Sequence, residues 1–298
     1  MKLSTNKEGK LFIPQIAVVN ADDFGISPGT NKGIEIAYKK GILTSASIMP
    51  SGPAFDAAIK IAKKNPGLGM GVHLSLTWGK SVLTRKDIPD LVDSENYFYP
   101  GIAKILLKVL LKKSVRSQIK REFEAQVERV LAAGITPDHL NGQEHVHFLP
   151  FIFPIVVSLA KKNRIGYVRI PLEPLFKLPD VQSLVKWAFL QSMGYILKKQ
   201  KLLGDQKIIF HGILFTSKMD KQIIKQIIQT NKYAAVEILT HPGLHDLKKV
   251  NFHYKKQKVD EFLLSKNRLS ELSTVQDKSL IEFVKRSRIT LSTFGGNR

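Results

Sequence analysis

Short apolar runs alternate with longer amphipathic stretches along almost the whole chain. The apolar runs predict strands at 15–20, 42–49, 67–76, 135–142, 166–171, 207–212, 234–243 and 288–294. The amphipathic stretches have helical spacing and predict helices at 29–40, 53–64, 104–133, 149–162, 181–200, 219–230, 257–267 and 276–286. The stretch 104–133 fits either one long helix or a pair, and 78–103 is expected to be irregular.

Strands that alternate with helices over the whole length predict a parallel α/β architecture. No segment rich in Pro, Gly or Ser divides the chain, so we expect a single domain over 1–298. Its length and rhythm fit a single distorted (β/α) barrel of mostly parallel strands, with a basic helical insertion around 100–134. A doubly wound open sheet is the alternative.

Composition narrows the chemistry and the location that we expect. The 298 residues are 43% hydrophobic and 24% charged, which is ordinary for a folded protein. Because there is no cysteine, a metal site must use imidazole, carboxylate, carbonyl or water as ligands. No apolar run reaches the roughly 18 residues of a membrane span, and the N-terminus has no small-residue cleavage site. We therefore expect a cytoplasmic protein.

The net charge of +21, from 46 Lys and Arg against 25 Asp and Glu, attracts polyanions. Nucleic acid is not the expected partner, because no zinc finger, RNP-type aromatic motif or basic zipper accompanies the charge. The segment 104–121 holds seven Lys and Arg and no acid, interleaved with Ile, Leu and Val. This pattern suits a helix lying on an anionic membrane surface. The alternative is a barrel-covering helix with a solvated basic face.

Polar side chains follow most of the predicted strands, at the point where each strand ends. They are Asp22, Asp23, His73, His139, Gln143, Glu144, His145, His147, Arg169, Glu173, His211 and His241. The carboxyl ends of parallel strands converge on one face of a barrel, where active sites are built. Each group has a structural alternative, such as an Asx cap at Asp22 or an ion pair between Arg169 and Glu173. Packing alone does not explain polar groups at six strand ends.

These residue types suggest a metal-dependent hydrolase. A carboxylate and imidazoles that converge without a thiolate make an N/O site for a divalent ion. Such an ion lowers the pKa of bound water and polarises a carbonyl, which suits hydrolysis of an amide or ester. A second carboxylate that is not a ligand can take the proton from that water. Asp22 and Asp23 can supply one of each, because adjacent residues at a strand end point in different directions.

Four segments of the chain resemble the YdjC-like carbohydrate deacetylases and occur in the order of that family. They are 19–58, 68–83, 137–153 and 237–243, which contain the elements ADDFG, GVHL, HLNGQ and HPG. Together, ADDFG, GVHL and HPG are highly specific. The segment YVRIPLEPL at 167–175 further resembles the branch associated with hopanoid glycolipid biosynthesis.

The resemblance implies a distorted (β/α) barrel that removes an N-linked acetyl group from an amino sugar with a divalent metal ion. By position, it makes Asp23 and His73 metal ligands, Asp22 the catalytic base and His241 an acid or orienting residue. One departure concerns the third ligand, because the family commonly has a histidine where this chain has Gln143. A glutamine carbonyl can bind a hard ion such as magnesium but poorly replaces imidazole on zinc. His145 is the alternative third ligand.

We therefore expect an enzyme that deacetylates an amino sugar on a glycolipid or oligosaccharide, with magnesium or zinc as the ion. Arg169, Glu173 and His211 are expected to line the sugar pocket. The alternative that Gln143 suggests is a non-catalytic sugar- or lipid-binding protein on a decayed barrel. The expected partners are the acetylated sugar and an anionic surface at the inner face of the membrane, and a homo-oligomer is left open.

Overall fold

The computed structural model of the protein describes residues 4–5, 11–12, 16–176, 180–204, 207–231, 234–245, 261, 263–287 and 289–296. The strands are β1 (Ser4–Thr5), β2 (Leu11–Phe12), β3 (Ile16–Phe24), β4 (Ser45–Ile48), β5 (Gly69–Leu74), β6 (His139–Gly142), β7 (Tyr167–Val168), β8 (Ile208–His211), β9 (Ala235–Thr240) and β10 (Thr290–Leu291). β1 and β2 form a separate antiparallel pair.

The other eight strands form one sheet in which every ladder is parallel. The strand order is β7-β6-β5-β4-β3-β9-β8, and β10 pairs with the first residues of β3. The sheet curls into a half-barrel with helices around it. The predicted α/β architecture is confirmed, although no ladder between described residues joins the edge strands β7 and β8.

The helices follow the strands in the alternation that the sequence predicts. They are α1 (Pro28–Lys40), α2 (Phe55–Lys64), α3 (Ile102–Leu111), α4 (Lys113–Ala132), α5 (Phe153–Lys162), α6 (Val181–Lys199), α7 (Lys221–Thr230), α8 (Lys266–Val275) and α9 (Lys278–Arg286), with a 3₁₀ helix at Gln143–Phe148. The stretch 104–133 is a pair of helices, separated by the extended backbone of Lys112. Among the described helices, none is both long enough and apolar enough to cross a bilayer.

Two segments of the structure bear on the sequence predictions. Five residues of the helix predicted at 257–267 lie outside the described residues; residues 261 and 263 are helical, and α8 begins at Lys266. Ser265 caps α8 by accepting a hydrogen bond from the backbone N–H of Asn267. The segment 143–148, for which no helix or strand is predicted, is a 3₁₀ helix interrupted by two left-handed residues, Glu144 and His145.

The centre of the sheet is almost entirely buried, as parallel strands covered by helices on their outer side should be. All residues of β4, β5 and β6 are buried, and so are eight of the nine residues of β3. Polar groups in such strands need partners inside the protein. His139 on β6, for example, lies between Asp138, 2.7 Å from its Nδ1, and Ser47, 2.8 Å from its Nε2.

Glu173 joins the two open edges of the sheet. Its carboxylate follows β7 and accepts hydrogen bonds from the backbone N–H groups of Gly212, Ile213 and Leu214, which follow β8, at 3.1, 2.8 and 3.0 Å. The side chain is 1% exposed. The Glu173 side chain therefore acts as a clasp between the ends of β7 and β8, which no ladder of described residues joins.

Removing this clasp should destabilise the fold. We expect Glu173→Ala to leave three buried N–H groups without an acceptor and to lower the free energy of unfolding by roughly 3 kcal/mol. The matched control is Glu282→Ala, which removes an exposed carboxylate 3.6 Å from Arg286 on α9 and should cost less than about 1 kcal/mol. Urea denaturation of both variants measures the difference. Equal losses would show that Glu173 does not hold the two edges together.

Candidate active site

A cavity of about 250 Å³ opens at the carboxyl ends of the sheet strands. It is lined by Asp22, Asp23, His73, Trp78, Gly142, Gln143, Glu144, His145, Lys186, Thr216, Ser217, Leu239 and His241. Six of these residues are predicted site residues, brought together from β3, β5, the 3₁₀ helix and the end of β9. The cavity therefore lies where the convergence of parallel strand ends predicts a site.

The backbone turns sharply where the two acids leave β3. Asp23 has a left-handed φ of 69°, and the register between β3 and β4 shifts between Ala21 and Phe24. Because of this irregularity, both carboxylates line the cavity instead of pointing to opposite faces of the sheet, as regular strand geometry leads one to expect. A left-handed conformation costs energy in a non-glycine residue and is common at functional sites.

Asp22 is held by donors on both of its oxygens. Arg169 donates from Nη1 to Oδ2 at 2.6 Å and from Nη2 to Oδ1 at 2.9 Å. Asn20 and Asn141 also donate to Oδ1, at 2.8 and 3.0 Å. Burial alone would raise the pKa of Asp22, but the Arg169 guanidinium outweighs it and holds the pKa well below its usual range. Asp22 is therefore an ionised carboxylate at neutral pH.

Arg169 lies beneath the cavity and does not line it. It is fully buried, and its Nε donates to Glu237 on β9 at 2.7 Å while its Nη atoms hold Asp22. Glu237 also accepts a hydrogen bond from the Tyr167 hydroxyl at 3.1 Å. The guanidinium of Arg169 is engaged by the carboxylates of Asp22 and Glu237. Arg169 therefore has a positioning role in this structure, in place of the predicted sugar contact.

Glu173 and His211 also lie outside the cavity lining. The Glu173 carboxylate serves the backbone N–H groups after β8, and its Oε1 lies 3.5 Å from His211 Nδ1. The His211 ring packs edge-on against Phe176 with centroids 5.5 Å apart, and its Nε2 is 3.2 Å from Asn231. Both residues are buried. The structure therefore gives them a supporting position instead of the predicted sugar contact.

Asp23 and His73 face each other across the cavity floor. His73 Nδ1 donates to Asn141 Oδ1 at 2.8 Å, an orientation fixed because the Asn141 amide nitrogen donates to Asp22 and Ser47. His73 Nε2 is left 3.5 Å from Asp23 Oδ1, and Arg268 donates to Asp23 Oδ2 at 3.1 Å. Two lone pairs that converge in this way favour a cation between them.

The pKa values of His73 and Asp23 reflect the charged groups around them. Burial alone would lower the pKa of His73, but the carboxylates of Asp22 and Asp23 raise it. Burial alone would raise the pKa of Asp23, but His73 and Arg268 lower it to about 2. The field therefore stabilises positive charge on or beside His73 Nε2.

Two side chains on the cavity floor offer ligand atoms suited to a divalent ion, and two more cavity residues are placed to supply a third. In the part of the chain that the structure describes, no group of three His, Asp or Glu side chains is arranged to hold a metal. Asp23 and His73 supply one carboxylate oxygen and one imidazole nitrogen. Gln143 and His145 lie on the same cavity wall, and each has a buried nitrogen without a hydrogen bond, Nε2 and Nδ1 respectively. Either residue is placed to complete an N/O ligand set.

His241 is positioned by residues that the sequence analysis missed. Glu271 on α8 accepts the His241 backbone N–H at 2.5 Å, and its Oε2 lies 4.0 Å from His241 Nδ1. Burial lowers the pKa of His241 to about 4, although Asp23 opposes this effect. The imidazole is therefore neutral at pH 7. As a general acid it must first receive a proton while negative charge develops beside it.

Lys186 on α6 is a further cavity residue that the sequence analysis missed. Burial lowers its pKa, while Glu144, Asp22 and Asp23 oppose the effect by attracting the ammonium. Trp78 contributes an aromatic ring to the same wall. The signals were weak, because Lys186 lies in a helix with several other lysines and Trp78 lies in the irregular stretch. A clearer signal was Glu237, a single acid within an apolar strand.

Left-handed backbone conformations concentrate around the cavity. Seven non-glycine residues in the described ranges have a positive φ, and four of them line the cavity: Asp23, Glu144, His145 and Ser217. Such conformations persist only where the surrounding structure enforces them. Their clustering favours this cavity as the candidate functional site.

Comparisons with known proteins agree with this position. The family model described as YdjC-like protein matches residues 17–286. The chain belongs to the YdjC-like family. A carbohydrate deacetylase of Brevibacillus brevis is 32% identical over 282 residues, which cover 93% of this chain and 97% of that protein. A carbohydrate deacetylase of Geobacillus stearothermophilus is 39% identical over 169 residues, which cover 57% of this chain and 65% of that protein.

A solved structure from Enterococcus faecalis, described provisionally as a cellobiose-phosphate cleavage protein, has the same fold. It superimposes with a TM-score of 0.68 at 22% identity, covering 94% of this YdjC-like chain and 98% of its own. This likeness concerns the fold alone. The curated YdjC-like relatives support a sugar deacetylase.

Glu271 should make the stability of this YdjC-like protein depend on pH. Burial raises the pKa of Glu271 from 4.5 to about 7 in the folded protein. Between these values the folded state binds one more proton than the unfolded chain. The resulting stability is present below about pH 4.5 and is lost as the pH rises through about 7.

We expect Glu271→Gln to remove this dependence. From about pH 4.5 to pH 8, the free energy of unfolding of the variant should gain roughly 3 kcal/mol relative to wild type. Any constant cost of the substitution does not affect this slope. Denaturation series at several pH values measure it, with the exposed Glu282→Gln as control. A pH-independent difference would show that Glu271 titrates normally.

Proposed function

We propose that the protein hydrolyses the N-acetyl group of an amino sugar in a metal-dependent reaction. The observation that carries this proposal is the arrangement of Asp22, Asp23 and His73, which presents one carboxylate held by arginine beside a carboxylate–imidazole pair that favours a cation. The carbohydrate deacetylases to which the chain is similar support the substrate class.

Asp23 and His73 would hold the ion, with Gln143 or His145 as the third protein ligand. When bound, a divalent ion lowers the pKa of water and polarises an amide carbonyl. Asn141 orients His73 by accepting from its Nδ1, so the Nε2 lone pair is presented to the cavity floor. Arg268 neutralises the second oxygen of Asp23.

The proton transfers fall to Asp22 and His241. Asp22 Oδ2, which has one arginine donor, would accept the proton of the attacking water. His241 would pass a proton to the leaving nitrogen, and the nearby Glu271 stabilises its imidazolium when that forms. Acetate and the free amine are then the products. The ring of Trp78 offers the sugar an apolar face to stack against.

Loss of the Asp22 carboxylate should abolish turnover. We expect Asp22→Asn to reduce acetate release from N-acetylated sugars by roughly 10²- to 10⁴-fold, because an amide cannot accept the proton. Asp56→Asn, an exposed substitution in the first turn of α2, is the matched control. A melting curve of each variant establishes that it is folded. Acetate release at the wild-type rate by a folded Asp22→Asn would rule out Asp22 as the base.

His241→Gln tests the second proton transfer of the same reaction, from His241 to the leaving nitrogen. A loss of turnover with unchanged sugar binding would support proton donation by His241. If this variant retains turnover, the donor is another group, and the ammonium of Lys186, which also lines the cavity, is a candidate.

We also propose that the substrate is a glycolipid and that α3 contacts an anionic membrane surface. Leu107, Leu110 and Leu111 are 57%, 53% and 74% exposed on this helix. The basic segment 104–121 surrounds them and carries no acid. A second copy of the chain would bring its own charge of +21 and be repelled, whereas an anionic lipid surface complements both features. The resemblance of 167–175 to the hopanoid-associated branch supports a lipid-linked sugar.

Vesicle co-sedimentation tests the membrane contact. We expect binding to phosphatidylglycerol vesicles, weakened by salt, and little binding to phosphatidylcholine vesicles. Replacing both Leu107 and Leu111 by Ser should weaken binding by about tenfold or more, because two buried leucines are lost. Val181→Ser with Val185→Ser, at 77% and 65% exposure on α6, is the matched control. No preference for anionic vesicles would end the membrane proposal.

A further inference from the structure

The side chain of Gln143 has a hydrogen-bond pattern that its neighbours cannot satisfy as it stands. The hydroxyl of Thr77 contacts both Gln143 Oε1 and Glu144 Oε2, the latter at 2.7 Å. At the same time, Gln143 Nε2 is buried without a hydrogen-bond partner. Gln143 itself is 2% exposed, so bulk water does not compensate.

Counting protons resolves the conflict. A threonine hydroxyl has one proton, so it cannot donate to two acceptors, whereas an amide nitrogen has two protons and needs acceptors. A half turn of the Gln143 amide exchanges its nitrogen and oxygen without moving the side chain. Nε2 then donates to Thr77 Oγ1, and the Thr77 hydroxyl donates to the Glu144 carboxylate. The Thr77 hydroxyl proton and one of the two amide protons of Gln143 then each have an acceptor.

This orientation leaves the carbonyl oxygen of Gln143, not its nitrogen, without a protein partner. A buried carbonyl without a donor is costly unless a cation or a donor meets it. Asp23 Oδ1 and His73 Nε2, which lie 3.5 Å apart, belong to residues that line the same cavity. All three are acceptors, and two of the three are hard oxygen atoms.

We propose that Thr77 and Glu144 are positioning residues that fix the Gln143 amide with its oxygen as the third metal ligand, and that this ligand shifts the site away from Zn²⁺ toward Mg²⁺ and Mn²⁺. The inference rests on the proposed function for the presence of a metal, and it adds the ligand and the ion class. Amide oxygen suits oxygen-seeking ions, while imidazole in its place suits zinc.

The quantity that tests this inference is the ratio of the Zn²⁺ and Mn²⁺ affinities, not the absolute affinity for either ion. Most N/O sites bind Zn²⁺ more tightly than Mn²⁺, whatever their geometry. The relevant quantity is therefore how the ratio of the Zn²⁺ and Mn²⁺ dissociation constants changes when Gln143 changes. The reference is the chelator-treated wild-type protein at a single pH and salt concentration.

Isothermal titration of the chelator-treated protein with Mn²⁺, Mg²⁺ and Zn²⁺ tests the ligand. We expect Gln143→His to shift the ratio of affinities at least tenfold toward Zn²⁺. Thr77→Val should weaken Mn²⁺ binding about 10- to 100-fold, as loss of a hydrogen bond that orients a ligand commonly does. Thr216→Val, a threonine on the same cavity wall whose hydroxyl bonds backbone carbonyls, is the matched control and should keep Mn²⁺ affinity within about twofold.

His145→Gln separates the two candidate ligands. Wild-type Mn²⁺ affinity in this variant, together with loss in Thr77→Val, supports Gln143. Loss of Mn²⁺ affinity in His145→Gln with wild-type affinity in Thr77→Val would overturn the inference. So would an unchanged ratio of Zn²⁺ and Mn²⁺ affinities in Gln143→His, or a wild-type protein that binds none of the three ions. These readouts need no turnover. A protein that binds ions in the expected order but releases no acetate would therefore refute the proposed function alone.

Discussion

The architecture of the site depends on one buried guanidinium. Arg169 follows the edge strand β7 and bonds carboxylates from two central strands, Asp22 on β3 and Glu237 on β9. Removing one partner from a buried ionic group of this kind typically costs about 3–5 kcal/mol. The three charges therefore fix the edge of the sheet relative to its centre. The same contact keeps the acid at the base of the cavity ionised.

This contact explains why a buried strand ends on two adjacent acids. Asp22 is committed to Arg169, which keeps it ionised but makes it a weak base on its own. Asp23 is turned toward His73 by a left-handed backbone, and the pair favours a cation. In the proposed reaction, a cation beside Asp23 and His73 would acidify water enough for the weak base Asp22 to accept its proton. Neither acid could replace the other, because their partners differ.

The alternation of strands and helices predicted the fold class, and the rule that polar groups at parallel strand ends converge predicted six of the thirteen residues that line the cavity. It identified Asp22, Asp23, His73, Gln143, His145 and His241, all of which line the cavity. The rule also predicted cavity positions for Arg169, Glu173 and His211, which lie outside the lining. Strand ends at the edges of a curled sheet can point beneath the cavity instead of into it. The partners on α6 and α8, Lys186, Arg268 and Glu271, could not be predicted, since no local pattern tells which helix residues face the site. The left-handed backbone of Asp23 has only a weak sequence signal, because aspartate adopts this conformation more often than most non-glycine residues but still uncommonly.

The most direct test of the account is a paired measurement of acetate and free amine from one N-acetylated amino sugar. The protein is first treated with a chelator, and Mg²⁺ or Mn²⁺ is then restored. The account predicts no product after chelation and equal amounts of acetate and amine after the ion is returned. Full turnover by the chelated protein would contradict the metal-dependent centre at Asp23 and His73. A sugar that binds in the presence of either ion but yields neither product would instead indicate a binding protein.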